Sequence, residues 1–189
     1  ILEIIPMYLV SPSPEEEAAM PEPYTPLELA GRDIYIREGC YNCHSQMVRP
    51  MHAETLRYGD WSRSTEYIHD RPFQLGSRRI GPDLHRLAQR GYPDSWHYNH
   101  MLDPRSTSPG SIMPAYPWLI EDKIEVDDVE ATVRTMQRLG VPYSDEEIAE
   151  LEPALQQQGN EIVPNLEQAY VSAEWDDAII ALIAYLQRL

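Results

Sequence analysis

Cys40-Tyr41-Asn42-Cys43-His44 restricts this chain more than any other stretch. Two cysteines separated by two residues and followed at once by histidine form the attachment pattern of a c-type haem. The two thiols add to the two vinyl groups of the porphyrin. Two intervening residues make one helical turn, which matches the spacing of those vinyls, and His44 then sits under the ring as an iron ligand. The competing readings are a redox-active cysteine pair and half of a zinc site. These are the only two cysteines, so a four-cysteine zinc site is excluded, and the βαβ pattern that surrounds thioredoxin-like pairs is not visible.

Charge divides the chain into three parts. Residues 1–30 carry −6, residues 31–120 carry +2 with eleven arginines, and residues 121–189 carry −12, for a total of −16. The segment holding the cysteine motif is therefore the arginine-rich one. Such acidity disfavours nucleic acid as a partner and suits either plain solubility or a basic protein partner. Covalent haem attachment takes place outside the bacterial cytoplasm, which points to the periplasm. No secretory leader is visible, and the chain starts Ile1-Leu2-Glu3-Ile4-Ile5 without an initiator methionine, so an upstream piece is expected. Residues 1–10 are apolar except for Glu3. They are too short to span a bilayer, which needs about 20 residues, and read either as the end of a membrane helix or as a packed arm. Residues 11–24 form a proline-rich acidic linker.

The remainder, 25–189, reads as all-helical with long loops. A helix is predicted over 25–39, with Thr25 and Glu28 as a capping box, Pro26 in the first turn, and Leu27, Ala30, Ile34 and Tyr35 inward. Gly31 and Tyr35 sit one turn apart, which an ordinary amphipathic helix allows and which resembles the glycine–aromatic pair that packs the first helix against the last in class I cytochromes c. Residues 45–80 read as a long loop, a feature that in compact domains is usually functional. A short helix is predicted over 94–102, capped by Asp94 and stopped at Asp103-Pro104. Further helices are predicted over 124–139 and over 144–158, the latter with a Ser144–Glu147 capping box and a kink or break at Pro153. The last, 174–188, presents Trp175, Ala178, Ile179, Leu182, Ile183 and Leu186 on one face, with Glu174, Asp176 and Asp177 suited to its dipole. The helices at about 121–172 read as an insertion.

Gly81-Pro82-Asp83-Leu84 reads either as a simple turn or, because it resembles the G-P-x-L run that follows the haem motif in class I cytochromes c, as the segment whose Pro82 carbonyl meets the second nitrogen of His44. That resemblance implies a bond fixing the tautomer and ring plane of a metal-bound imidazole. Met113, in the rigid Ser111-Ile112-Met113-Pro114 loop, is the expected sixth iron ligand. A thioether there favours reduced iron. Met47, Met51 and Met101 compete with it, and His52, His69, His85, His97 or His100 would give a bis-histidine iron.

The run from Gly31 to Pro50, through Cys40-Tyr41-Asn42-Cys43-His44-Ser45-Gln46-Met47, closely resembles the monohaem cytochrome c subunit (CcoO/FixO type) of cbb(3)-type, or C-family, haem–copper oxidases. Gly76-Ser77-Arg78-Arg79-Ile80-Gly81-Pro82-Asp83-Leu84, Asp103-Pro104-Arg105, Met113-Pro114-Ala115-Tyr116-Pro117-Trp118-Leu119 and Leu139-Gly140-Val141-Pro142-Tyr143 agree, as does the C-terminal Ile183-Ala184-Tyr185-Leu186 stretch. The resemblance implies a class I cytochrome c fold preceded by the end of an N-terminal membrane anchor. It implies one covalent haem c on Cys40 and Cys43, with His44 and Met113 on the iron, in the periplasm at the bacterial inner membrane. It further implies electrons taken from a dihaem cytochrome c subunit or soluble cytochromes. They pass to the low-spin b haem of the catalytic haem–copper subunit, which reduces oxygen to water and pumps protons.

Three other readings share the cysteine motif. The cytochrome c subunit of a nitric oxide reductase has the same anchor-plus-haem plan but does not suit the long Ser45–Pro50 loop. A free monohaem carrier does not suit the apolar start, and a gas sensor needs a weak or absent sixth ligand. The arginines at Arg49, Arg57, Arg78, Arg79 and Arg105, with Arg78 and Arg79 foremost, are expected to contact haem propionates or the catalytic subunit, since guanidinium pairs well with carboxylate.

Overall fold

A computed structural model describes residues 4–9, 12–14 and 20–189. The expected anchor end and linker lie partly outside these residues. Among the described residues there are helices and 3₁₀ turns and no named strand, only an isolated bridge between Lys123 and Asp177. The helices are α1 (Ile4–Leu9), α2 (Pro26–Arg37), α3 (His52–Tyr58), α4 (Asp94–Leu102), α5 (Pro104–Thr107), α6 (Val126–Arg138), α7 (Asp145–Ala149), α8 (Leu151–Glu167) and α9 (Ala178–Arg188). None of them is long and apolar enough to cross a membrane. On α1, Ile5, Tyr8 and Leu9 are exposed.

The α2–α9 crossing organises the molecule. A Cβ on Gly31 would lie 1.9 Å from the Ala181 carbonyl oxygen and 2.8 Å from Tyr185 Cβ, so only glycine lets the two backbones approach this closely. One turn on, the Tyr35 and Tyr185 rings pack at 5.4 Å. The Thr25–Glu28 capping box starts α2 as its sequence predicts, with Thr25 N donating to Glu28 at 2.8 Å. The apolar stripe expected on α9 is instead burial all round: every residue from Ala178 to Leu186 is buried. Helix α2 covers one side of it, and α4 and α8 cover others. The same crowding buries Arg32, which pairs with Asp70 and donates to the Pro72 carbonyl at 2.6 Å. A buried cation is tolerated only with such partners.

The acidic region 121–172, read from the sequence as an insertion, packs onto this pair. Val129, Val133 and Met136 of α6, Ile148 of α7 and Leu151, Leu155 and Leu166 of α8 join one core with α2 and α9. Several boundaries differ from the sequence reading for local reasons. The predicted helix over 144–158 is two helices, with Ser144 capping the first as expected. The break falls at Glu150, just ahead of Pro153, which sits in the first turn of α8, where its missing N–H costs no bond; α8 runs on to Glu167. Pro93, not Asp94, precedes α4. The Asp94 carboxylate instead accepts from Gln187 and Asn165. Asp103 ends α4 and caps α5 through Arg105 N. Glu174, Asp176 and Asp177 do not serve the α9 dipole first. All three close on Lys123 Nζ, at 2.6, 2.8 and 2.7 Å. Residues 45–80 contain α3 and a 3₁₀ turn over Ser64–Tyr67, which the loop expectation missed.

Candidate haem site

Helix α2 ends on Glu38, and Gly39 turns the chain with φ +70° into a single 3₁₀ turn over Cys40–Asn42. The Cys40 carbonyl accepts from Cys43 N at 3.1 Å and His44 N at 2.9 Å. That turn brings both thiols to one cavity of about 500 Å³, a volume typical of cofactor sites. Its walls include Cys40, Cys43, His44, Pro82, Met101 and Met113, with Leu182 and Leu186 of α9 behind. The two cysteines are not joined to each other. Burial, with the Glu38 charge adding to it, pushes the Cys40 thiol up to about 12.

His44 is oriented from behind. Its Nδ1 lies 2.8 Å from the Pro82 carbonyl oxygen, so Nδ1 carries the proton and Nε2 keeps the lone pair. Burial lowers the imidazole pKa, against the opposing pull of that carbonyl, which favours the neutral ring a metal needs. Gly81 is a cradle: a Cβ there would fall 2.2 to 2.7 Å from three atoms of the His44 ring. Backbone bonds tie the two segments together, Gly81 N to Cys43 O at 3.0 Å and Leu84 N to Ser45 O at 2.8 Å.

Asp83 holds this arrangement and was passed over in the sequence, although it lies within the Gly-Pro-Asp-Leu motif. It is fully buried. Its carboxylate accepts from Ser45 Oγ at 2.8 Å, Met47 N at 2.9 Å, His85 N at 2.9 Å and Arg79 Nη1 at 2.7 Å. One acid thus clamps the residues after His44 to the turn that carries Pro82. Arg79 is shared between Asp83, Glu54 and the Met47 carbonyl. Neither Arg79 nor Arg78 lines the cavity; Arg78 is exposed. The arginine that does line the cavity is Arg90, which also donates to the Asp83 carbonyl at 2.6 Å. No spacing in the sequence singled it out.

The cavity narrows the sixth-ligand field. Met47, Met51, His52, His69 and His85 do not line it, whereas Met113, Met101, His97 and His100 do. Met101 is buried in the core, and His100 Nδ1 lies 2.6 Å from Thr107 Oγ1. His97 is buried edge-on against the stacked Tyr92 and Trp96 rings, and burial drops its pKa to about 4. Met113 is half-buried at the edge of the core, on a loop whose amide is held by Ser111 Oγ at 3.2 Å.

These walls fit a haem. Two thiols one turn apart, a neutral imidazole with a free Nε2, a thioether and a mainly apolar lining converge on the cavity. Tyr35 is also in the lining and is buried there. No curated protein matches the chain. The family described as "Cytochrome C oxidase, mono-heme subunit/FixO" matches residues 1–189, as the sequence resemblance anticipates. With one cavity equipped for one haem and a family match along its whole length, the chain belongs to the FixO family, the mono-haem subunit of cytochrome c oxidase.

Proposed function

We propose that this chain is the electron-relay subunit of a cbb(3)-type oxidase. It takes electrons from a dihaem cytochrome c subunit or soluble cytochromes and delivers them to the low-spin b haem of the catalytic subunit. There oxygen is reduced to water with proton pumping. The observation that carries this reading is the convergence of Cys40, Cys43, His44 and Met113 on one cavity, with the His44 ring fixed by Pro82.

A haem c held there supplies one-electron chemistry. The chain's own residues do the rest. Cys40 and Cys43 would anchor the group covalently, and His44 Nε2 and Met113 Sδ would ligate its iron. Pro82 keeps the His44 proton on Nδ1, and a more electron-rich imidazole results. Met113 favours the reduced state, and Leu182 and Leu186 exclude water. Arg90 is placed to meet acceptor groups on the cofactor. The haem domain works in the periplasm, held to the bacterial inner membrane by an anchor of which 1–10 is the end. The test is purification in mild detergent from native membranes. Co-purifying b haem and copper with oxygen uptake is the expected result. Non-haem iron with nitric oxide consumption would reassign the chain to a nitric oxide reductase, and a c-type spectrum alone would make it a free carrier.

A further inference from the structure

Helix α3 is built inside out. Its only buried side chain is the acid Glu54, while Leu56 is 75 % exposed. Met51 and Trp61, on either side of it, are also exposed, and so is Ile80. Surface helices normally turn their apolar residues to the core, and a cluster of outward apolar side chains marks a contact surface. The patch is also cationic on a chain of net charge −16. Arg57 and Arg63 are exposed and have no carboxylate partner among the described residues. Their guanidinium groups lie over aromatic rings, Arg57 over Tyr58 at 5.0 Å and Arg63 over Trp61 at 5.4 Å. Of the neighbouring acids, Glu54 is engaged within the chain by Arg49 and Arg79, Glu66 by Arg86 and Asp70 by Arg32, while Asp60 is exposed beside Trp61.

The patch adjoins the cavity. Ile80 lines the cavity wall, and the Tyr58 ring of α3 lies 5.7 Å from the guanidinium carbon of Arg90, which lines it too. It is also held rigid. Val48 N donates to Ser62 Oγ and Ser62 N to the Val48 carbonyl, both at 2.8 Å, closing the loop that carries α3. A surface fixed before binding loses little freedom on docking.

We propose that this α3 surface, from Leu56 and Trp61 to Ile80 at the cavity mouth, is where the oxidase's catalytic subunit docks, through an apolar recess flanked by carboxylates that pair with Arg57 and Arg63. The inference rests on the relay reading above. Electron transfer weakens steeply with distance, so the acceptor must sit close to the cavity, and a lipid surface at this mouth would insulate it.

The test uses the whole complex purified in mild detergent. The variants are Arg57→Glu/Arg63→Glu and, separately, Leu56→Asp, with Asp127→Lys/Asp128→Lys on α6 as a control and the milder Arg57→Gln/Arg63→Gln pair in case the reversal misfolds. The expected result is an unchanged c-type spectrum, less b haem and copper recovered, and electron delivery to the b haem slowed about tenfold for the reversal, with the α6 control at the parent level. Parent-level recovery and delivery in both patch variants would overturn the proposal. So would an intact complex in which only reduction by a donor cytochrome slows, which would give the patch to the donor. An intact complex whose binding to phosphatidylglycerol vesicles alone is lost would give it to the membrane. If the parent chain itself brought down no b haem or copper, the relay reading would fall first and this inference with it.

Discussion

Replacing Gly31 with alanine tests the helix crossing on which the site depends. The added Cβ would stand 1.9 Å from the Ala181 carbonyl oxygen, 2.6 Å from its carbon and 2.8 Å from Tyr185 Cβ. An ordinary carbon–oxygen contact is about 3.3 Å at the closest, so α2 and α9 would have to part by roughly 1.4 Å. Overpacking in cores costs about 1–3 kcal/mol and occasionally more. Here two of the three clashing atoms belong to the backbone and cannot rotate away, which puts the cost at or above the upper end. Alanine's helix preference returns about 1 kcal/mol. The net loss is about 2–3 kcal/mol, and at about 2–4 °C per kcal/mol for a chain of this size Tm should fall by about 4–12 °C. Thermal unfolding of the haem-loaded protein followed by circular dichroism measures this. A Gly31→Ala protein melting within about 1 °C of the parent would refute the reasoning.

Three further outcomes follow from the site. Gly81→Ala drives a Cβ into the His44 ring, at 2.2 Å from Cε1, and should abolish the normal low-spin c-type spectrum; an unchanged spectrum would contradict the cradle. Met113→Ala should convert the iron to high spin or to a histidine-ligated form, while Met47→Ala, outside the cavity, should leave the optical and paramagnetic spectra as they are. If the two variants behaved the other way round, the ligand assignment would be wrong. Glu54 is held down to about 2 from its ordinary 4.5, chiefly by its hydrogen bond from Arg49 and then by others including Arg79. A depressed carboxylate stabilises the fold above its unfolded pKa and loses that contribution as pH falls through the folded one. Glu54→Gln should therefore lower stability by about 1 kcal/mol at neutral pH, with the gap closing between about pH 4.5 and pH 2; a gap constant over that range in thermal melts would count against it.

Legibility in the sequence followed the range of the interactions. The capping boxes at Thr25 and Ser144, the α6 periodicity and the Cys40–His44 motif are local, and the structure contains each where the residues put it. Gly81-Pro82 could be related to His44 because a short motif carries the contact. What escaped detection was non-local. The clamp on Asp83 joins residues 36 to 38 positions apart, and Arg90 meets the cavity through the tertiary fold alone. Burial of α9 all round depends on partners that no single-helix pattern displays. Helix α3 escaped because its apolar residues face outward, so it lacks the core-facing stripe by which helices are recognised.

The relay itself is most directly tested by rapid reduction of the purified complex, with the c-type and b-type absorption bands followed together. The account predicts that the c band reduces first and that the b band follows as the c band reoxidises, a sequence lost in Met113→Ala. Reduction of the b haem at the parent rate in a complex whose Cys40 and Cys43 are both replaced by alanine would contradict it.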